Sequence, residues 1–227
     1  NAKSLKVNLP DNCDKYFELL KKVSKKIDTP LPGASNLAHY LMMKEAKKNN
    51  LKVILSGQGA DEALCGYGKY LYVYLINLLK NIKFFKFFHN IFSFIKNKTV
   101  FFEFNLNEAK RFVKKGSKNF YGSFFNNIDK TSIYSFGQTV RSRQIDDIEK
   151  FSVPSICHFE DRLSMLNSVE VRYPFLDNNL IELFISLPTE KKLHKGWTKY
   201  IFRKTFEKFL PKNITWRKDK NGFSTDF

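Results

Sequence analysis

Two adjoining segments limit the possible fold classes most strongly: L-K-V-I-L at 51–55 and, directly after it, S-G-Q-G-A-D-E at 56–62. A short, β-branched apolar run is typical of a buried strand in a parallel sheet. A helical pattern precedes it, with Ser35 as its expected cap and Lys47 and Lys48 at its end. This order predicts part of an α/β unit whose loop lies at the carboxyl end of the strand, where such sheets bind ligands.

Helical periodicity dominates the remaining elements. Asp11 or Asn12 can cap a helix with a regular apolar side, and T-P-L-P-G at 29–33 interrupts the pattern. Residues 5–8 predict a short strand. From 105 to 210 the pattern is helical with loops, and no strand is predicted. The expected fold class is therefore α/β, a parallel-sheet beginning followed by a mostly helical layer, and predominantly α.

The segment 71–95 admits two interpretations, because apolar residues at helical spacing alternate there with lysines. One is a helix that lies on a membrane surface. The other is a pair of core helices with solvated lysines, which the regular apolar face favours. The longest uncharged apolar run, Tyr70–Leu79, is too short to cross a bilayer, so no membrane span is predicted.

The charge balance argues against a specific nucleic-acid-binding function. The formal net charge is +17, and the 39 basic residues are 32 lysines and 7 arginines. Phosphate-reading surfaces favour the planar fork of arginine, and the lysines here are dispersed. A basic module that binds nucleic acid or a membrane surface remains as an alternative from a different functional class, and it predicts steep salt dependence.

The three cysteines, Cys13, Cys65 and Cys157, are odd in number and far apart. A disulfide framework or a zinc site needs closer, paired spacing, so we predict neither. This cysteine usage favours a reducing, cytoplasmic compartment.

The loop after the predicted strand carries groups that suit a nucleotide. Gly57 and Gly59 let the backbone approach an anion, and the Ser56 hydroxyl can donate to phosphate. Asp61 and Glu62 are hard oxygen ligands of the type that Mg²⁺ takes alongside substrate phosphates. An ordinary glycine turn with solvent-facing acids explains the same residues equally well.

A second cluster of charges occupies the segment from Glu160 to Asp177, in the company of many apolar residues. Charges in such surroundings must be paired, and opposite charges at 161–162 and 170–172 allow it. A structural ion-pair network would account for the pattern. Because Pro174 favours an extended Tyr173, residues 170–173 are not expected to be helical throughout.

A third segment, W-R-K-D-K-N-G-F at 216–223, places basic side chains beside a glycine. Such a segment could close over phosphates, or it could be a solvated tail.

Together, in this order and spacing, these segments resemble the synthetase domain of glutamine-dependent asparagine synthetases. The resemblance rests on L-S-G-Q-G-A-D-E-A-L-C-G-Y-G-K-Y, E-D-R-L-S-M-L-N-S-V-E-V-R-Y-P-F-L-D, T-K-Y-I-F-R-K and R-K-D-K-N-G-F. It implies the remnant of a parallel-sheet, adenine-nucleotide-hydrolase-like domain of the PP-loop ATP pyrophosphatases. Residues 1–65 would form its α/β part, and 66–227 its mainly helical part.

The resemblance also implies a reaction. A carboxylate, aspartate in the namesake enzyme, attacks the α-phosphate of Mg-ATP, and an acyl-adenylate and pyrophosphate form. Ammonia from glutamine hydrolysis in a separate glutaminase domain then displaces AMP. Mg²⁺ and cations stabilise the meeting anions. Similar proteins act on sugar acids of surface polysaccharides or on β-lactam and lasso-peptide precursors, so the acceptor stays open. A homodimer is possible.

Residue roles follow from the resemblance position by position. Ser56, Gly57 and Gly59 would contact the nucleotide. Asp61 matches the aspartate that binds Mg²⁺-pyrophosphate, and Lys220 the lysine that steadies the leaving pyrophosphate. Gln58 stands where an acid is usual, so it can hydrogen-bond but cannot act as a base. The other implied residues lie on the acceptor side: Glu170, Arg172 and Asp177.

Two family features are absent from the sequence, the S-G-G-x-D-S loop and the glutaminase domain with its N-terminal cysteine. We therefore expect a C-terminal portion of a longer synthetase, catalytically silent by itself. In such a portion the apolar side of Leu51–Leu55 could be uncovered. We also expect Asp61 and Lys220 to face one cavity, because pyrophosphate must lie between the metal ligand and the cation.

Overall fold

The computed structural model describes residues 4–31, 33–97, 99 and 139–218. These residues are mostly helical and include one parallel two-stranded sheet, which confirms the predicted fold class. They form two compact units. Unit 1 comprises described residues within 4–59 and 149–178, and unit 2 those within 60–148 and 179–218.

The elements are numbered in chain order. The helices are α1 (Cys13–Ile27), α2 (Ala34–Lys48), α3 (Ala60–Ala63), α4 (Gly68–Lys80), α5 (Phe84–Asn97), α6 (Val140–Glu149), α7 (Ser152–Met165), α8 (Asn178–Ser186), α9 (Thr189–Lys192), α10 (Tyr200–Phe206) and α11 (Lys212–Thr215). The strands are β1 (Val53–Leu55) and β2 (Glu170–Arg172), and a short 3-10 helix spans Pro174–Leu176.

The helix caps of unit 1 confirm one prediction and correct another. Asn12, one of the two expected caps of α1, accepts a hydrogen bond from the Asp14 backbone N–H at 2.7 Å. Ser35 does not cap α2, because that helix begins at Ala34 after Gly33 and no side chain caps it. Both helices contribute to the core of unit 1, where α2 packs against α7.

The sheet pairs β1 with β2 in parallel, with Ile54 opposite Val171. The parallel strand is thus confirmed, but its burial was predicted wrongly, since the Leu55 side chain is 70% exposed. Among the described residues β2 is the only neighbour of β1. Ile54 and Val171 pack on Met43, Ala46 and Val169. The sheet is therefore covered on the face that carries these two residues.

Two further strand predictions were wrong. Residues 5–8 form no regular element. Conversely, β2 lies in the stretch from 105 to 210 for which no strand was predicted. Its three residues are E-V-R, and a single apolar residue between two charges has no strand signature. Backbone pairing with β1 determines it. The extended Glu170–Arg172 confirms that the 170–173 segment is not helical throughout.

The predicted core helix pair in 71–95 corresponds to α4 and α5, and the structure confirms it only in part. Helix α4 buries four residues in the core of unit 2, where Phe94 of α5 joins them. Several other phenylalanines of α5 are exposed within the described part of the chain, Phe85 by 84%. None of the described helices is long and apolar enough to cross a membrane.

Candidate functional site

A loop follows the carboxyl end of β1 as predicted, but it is shorter than expected: it spans residues 56–59, and α3 begins at Ala60. The Ser56 backbone N–H donates to the Arg172 carbonyl at 2.8 Å and so extends the sheet pairing by one residue. Gly59 has a φ of 89°, and a Cβ there would overlap the Leu176 side chain, so this position requires glycine. A Cβ at Gly57 would meet only open space, which leaves room for a ligand to approach the backbone.

The Ser56 hydroxyl is held by a carboxylate that the sequence did not assign to the site. The Ser56 hydroxyl donates to Glu160 Oε1 at 2.9 Å, and His39 Nδ1 lies 3.1 Å from the same oxygen. Glu160 is buried on α7, and His39 lies on α2. Burial raises the pKa of Tyr173, and the charge of Glu160 raises it further. The only sequence signal for Glu160 is its place at the start of the E-D-R segment.

The charges on the predicted acceptor side lie at the surface of unit 1. Arg172 Nε donates to Glu170 Oε1 at 2.7 Å, and more than half of each side chain is exposed. The hydrogen bond from this guanidinium to Glu170 raises the Arg172 pKa. Asp177 is also exposed, directly after the 3-10 helix. Pairing is confirmed for 170–172, whereas Arg162 instead donates to the Ile27 carbonyl at 3.0 Å.

In unit 2, Asp61 lies on α3, the four-residue helix that continues the chain from the loop. Its Oδ1 lies 2.9 Å from Lys199 Nζ, and the two side chains are 30% and 26% exposed. The Gly66 backbone N–H donates to the Asp61 carbonyl at 2.7 Å. A Cβ on Gly66 would overlap both the carboxylate and the Lys199 side chain, so a glycine is needed beside this ion pair.

Glu62, the second acid of the loop motif, is unsuited to bind a metal. Its side chain is buried, and burial raises its pKa. Asp61 is therefore the carboxylate of this motif that remains accessible. Within the described part of the chain, no three acidic, histidine or cysteine side chains come close enough to form a complete metal site.

Arg203 is a second residue of unit 2 that the sequence did not assign. Its guanidinium donates to the carbonyls of Thr198 at 2.9 Å and Thr215 at 2.6 Å, and it lies 5.1 Å from the Trp197 ring centroid. Burial lowers the Arg203 pKa, and the charge of Asp61 opposes that shift.

Lys199 and Arg203 were both missed as site residues, although T-K-Y-I-F-R-K contains them and contributed to the resemblance. Nothing in their spacing shows that one pairs with an acid about 140 residues earlier. Lys220 lies outside the described residues, so its convergence with Asp61 stays a prediction.

A family model for asparagine synthase matches residues 9–227. The chain belongs to the asparagine synthase family. The family model thereby confirms the resemblance, and its match also includes the residues between the motifs.

Individual members of the asparagine synthase family match the chain at moderate identity. The asparagine synthetase [glutamine-hydrolyzing] 1 of Bacillus subtilis is 29% identical over 92% of this chain and 36% of its own length. A putative asparagine synthetase [glutamine-hydrolyzing] of Mycobacterium bovis is 25% identical over 93% of this chain and 35% of its own length. The chain thus spans about a third of the length of these relatives.

A shorter match within the asparagine synthase family is closer in identity. The asparagine synthetase [glutamine-hydrolyzing] 3 of Bacillus subtilis is 46% identical over 59 residues, which are 26% of this chain and 10% of the relative.

Proposed function

We propose that this chain is part of a synthetase domain that forms asparagine from aspartate with ATP. Aspartate would be activated as an acyl-adenylate, and ammonia would come from glutamine hydrolysed in a glutaminase domain of the full-length protein. The family match and the names of the relatives support this proposal. Related reactions on another carboxylate use the same chemistry and are the main alternative.

The accessible Asp61–Lys199 pair is the observation that carries the proposal. Mg²⁺ keeps several of its waters and binds through one or two carboxylates plus substrate phosphates. A single, partly exposed carboxylate is therefore a suitable donor for Mg²⁺ that arrives with ATP. The lysine beside it supplies the positive charge that a departing pyrophosphate needs.

The other residues have supporting roles in this proposal. Ser56, Gly57 and Gly59 present hydrogen-bond donors and open backbone to the nucleotide, with the Ser56 hydroxyl oriented by Glu160. Gln58 contributes a hydrogen bond and no proton transfer. Lys220 adds a second cation for pyrophosphate. Three residues of unit 1 are proposed for the acceptor side: Glu170, Arg172 and Asp177.

The decisive experiment measures aspartate-dependent ATP–pyrophosphate exchange in the natural protein that contains this chain. Lys199→Met should reduce exchange by about 10²–10³, the effect of removing one preorganised charge-stabilising group. Glutamine hydrolysis should be unchanged. Lys204→Met is the matched control, because Lys204 lies on α10 and pairs at the surface with Glu207.

The outcomes separate the acceptor from the chemistry. If ATP–pyrophosphate exchange occurs with a different carboxylate and not with aspartate, the proposed adenylation stands and the proposed acceptor is wrong. Wild-type exchange in Lys199→Met would overturn the role of the Asp61–Lys199 pair.

A further inference from the structure

Helix α3, which carries Asp61, is too short to hold its own direction. It has four residues, and a helix gains little from its first turn because nucleation is unfavourable. Each of its carbonyls nevertheless accepts a hydrogen bond. The Ala60 carbonyl accepts from the Leu64 N–H at 3.1 Å, and the Asp61 carbonyl from the Gly66 N–H at 2.7 Å.

The last two carbonyls of α3 are bound by one side chain from another helix. Gln144 of α6 donates from Nε2 to the Glu62 carbonyl at 2.8 Å and to the Ala63 carbonyl at 2.6 Å. Gln144 is fully buried, at 0% exposure. These two bonds act on the residues immediately following Asp61, so they restrain the backbone that sets the direction of its carboxylate.

Gln144 is in turn fixed by a buried lysine. Lys192 Nζ donates to Gln144 Oε1 at 2.7 Å and to the Phe184 carbonyl at 2.9 Å. Lys192 is 1% exposed, and burial lowers its pKa. Because Lys192 occupies the amide oxygen, the amide nitrogen must face α3. The donor orientation of Gln144 is therefore determined by its surroundings.

We propose that Gln144, oriented by Lys192, is a positioning residue that holds α3 so that the Asp61 carboxylate faces incoming Mg²⁺–ATP. The inference rests on the proposed function of Asp61 as the metal-binding carboxylate. Gln144 is not itself a ligand, since it has no exposed surface. Its effect is on where the ligand group lies.

The sharpest variant is Gln144→Glu in the natural protein. Glutamate has the same length and keeps a partner for Lys192, but it replaces both N–H donors to the α3 carbonyls by an oxygen. Lys192→Met is the second variant, since it removes the group that orients the amide while Gln144 stays. Tyr70→Phe is the control, because it removes a buried 2.9 Å hydrogen bond to Asp147 of the same helix α6 and keeps Gln144 and both of its hydrogen bonds to α3.

Calorimetric titration with ATP at a series of Mg²⁺ concentrations gives the apparent Mg²⁺ constant without catalysis, and thermal melting gives stability. Gln144→Glu should weaken the apparent Mg²⁺ affinity about 10–100-fold, as the loss of groups that orient a metal ligand does. Lys192→Met should shift it in the same direction by less, and Tyr70→Phe should leave it unchanged.

Each outcome has a distinct meaning. Unchanged Mg²⁺ affinity in both Gln144→Glu and Lys192→Met, or an equal loss in Tyr70→Phe, would overturn the positioning role and leave the proposed function standing. If the wild-type protein shows no Mg²⁺-dependent ATP binding at all, the proposed function fails and this inference fails with it. If Gln144→Glu does not fold, the Lys192→Met result decides.

Discussion

Two aspartate–lysine pairs among the described residues of unit 2 lie in opposite surroundings. Asp147 Oδ2 lies 2.8 Å from Lys69 Nζ, and the carboxylate is fully buried. Asp61 Oδ1 lies 2.9 Å from Lys199 Nζ, and both of those side chains are partly exposed. The distances are nearly equal, so geometry alone does not distinguish a structural pair from a functional one.

The buried pair is part of a closed network. Arg143 donates through Nε and a terminal nitrogen to the two oxygens of Asp147, and the Tyr70 hydroxyl donates to Oδ2 at 2.9 Å. Burial by itself would raise the Asp147 pKa, but the hydrogen bonds from Arg143 and Lys69 outweigh it and the pKa is lowered. This network ties α4 to α6 and leaves no room for a ligand to compete.

Separating the partly exposed Asp61–Lys199 pair costs little free energy. An ion pair that water can reach contributes only about 0–1 kcal/mol, so Mg²⁺ or a phosphate can replace either partner at small cost. Asp61 therefore differs from Asp147 in two ways that leave it available for a ligand: its side chain is partly exposed, and its ion pair is with one lysine. Substitutions at each pair test that distinction.

Asp147→Asn should lower the free energy of unfolding by about 3–5 kcal/mol, because it leaves buried Arg143 and partly buried Lys69 without their counter-charge. The measurement is a urea unfolding transition of the natural protein near neutral pH. Asp61→Asn makes the same chemical change at the exposed pair and should alter stability by no more than about 1 kcal/mol. Equal losses in the two variants would contradict the comparison.

Asp61→Asn should instead reduce aspartate-dependent ATP–pyrophosphate exchange by about 10²–10³. The amide keeps the shape of the carboxylate but removes the charge that attracts Mg²⁺. Steady-state exchange at several Mg²⁺ concentrations measures the effect. The control is Glu207→Gln, which changes the surface pair of Lys204 with Glu207, the residue that follows α10. Full activity at ordinary Mg²⁺ would show that the exposed pair is not the metal site.

Arg203→Lys should cost about 1–3 kcal/mol of stability, since it keeps the charge but loses the fork that binds the Thr198 and Thr215 carbonyls. Stacking on Trp197 is lost as well. Differential scanning calorimetry gives the change, and Arg141→Lys on exposed α6 surface is the control. An unchanged melting temperature would mean that Arg203 contributes to stability through its positive charge and not through the hydrogen bonds of its fork.

Glu62→Gln should stabilise the protein by about 0.5–2 kcal/mol at neutral pH, the common range for a stabilising substitution. Burial raises the pKa of Glu62 in the folded state, so its favourable contribution is complete below the unfolded pKa and is lost as the pH rises through the folded one. The gain in melting temperature should therefore be larger at pH 7 than at pH 4. A gain that is independent of pH would rule out the buried carboxyl as its cause.

Several particular elements were predictable because their signals are local. The α1 cap at Asn12, the α2 end at Lys47 and Lys48, and the loop at the end of β1 depend on neighbouring residues. The strand β2 was not predictable, because it depends on which distant segment pairs with β1. The apolar run alone predicted burial of Leu55, and its exposure agrees only with the expectation that a portion of a longer synthetase could leave this side uncovered.

The family, the fold class and the position of the loop after β1 could be read from the sequence, because motifs and periodicity are properties of consecutive residues. Which acid of the S-G-Q-G-A-D-E motif is accessible, and which cation accompanies it, depends on tertiary packing. Asp61 and Glu62 are adjacent and chemically alike, yet Glu62 is buried and Asp61 pairs with Lys199. Burial and long-range pairing arise when segments far apart in sequence pack together, and no local pattern encodes that arrangement.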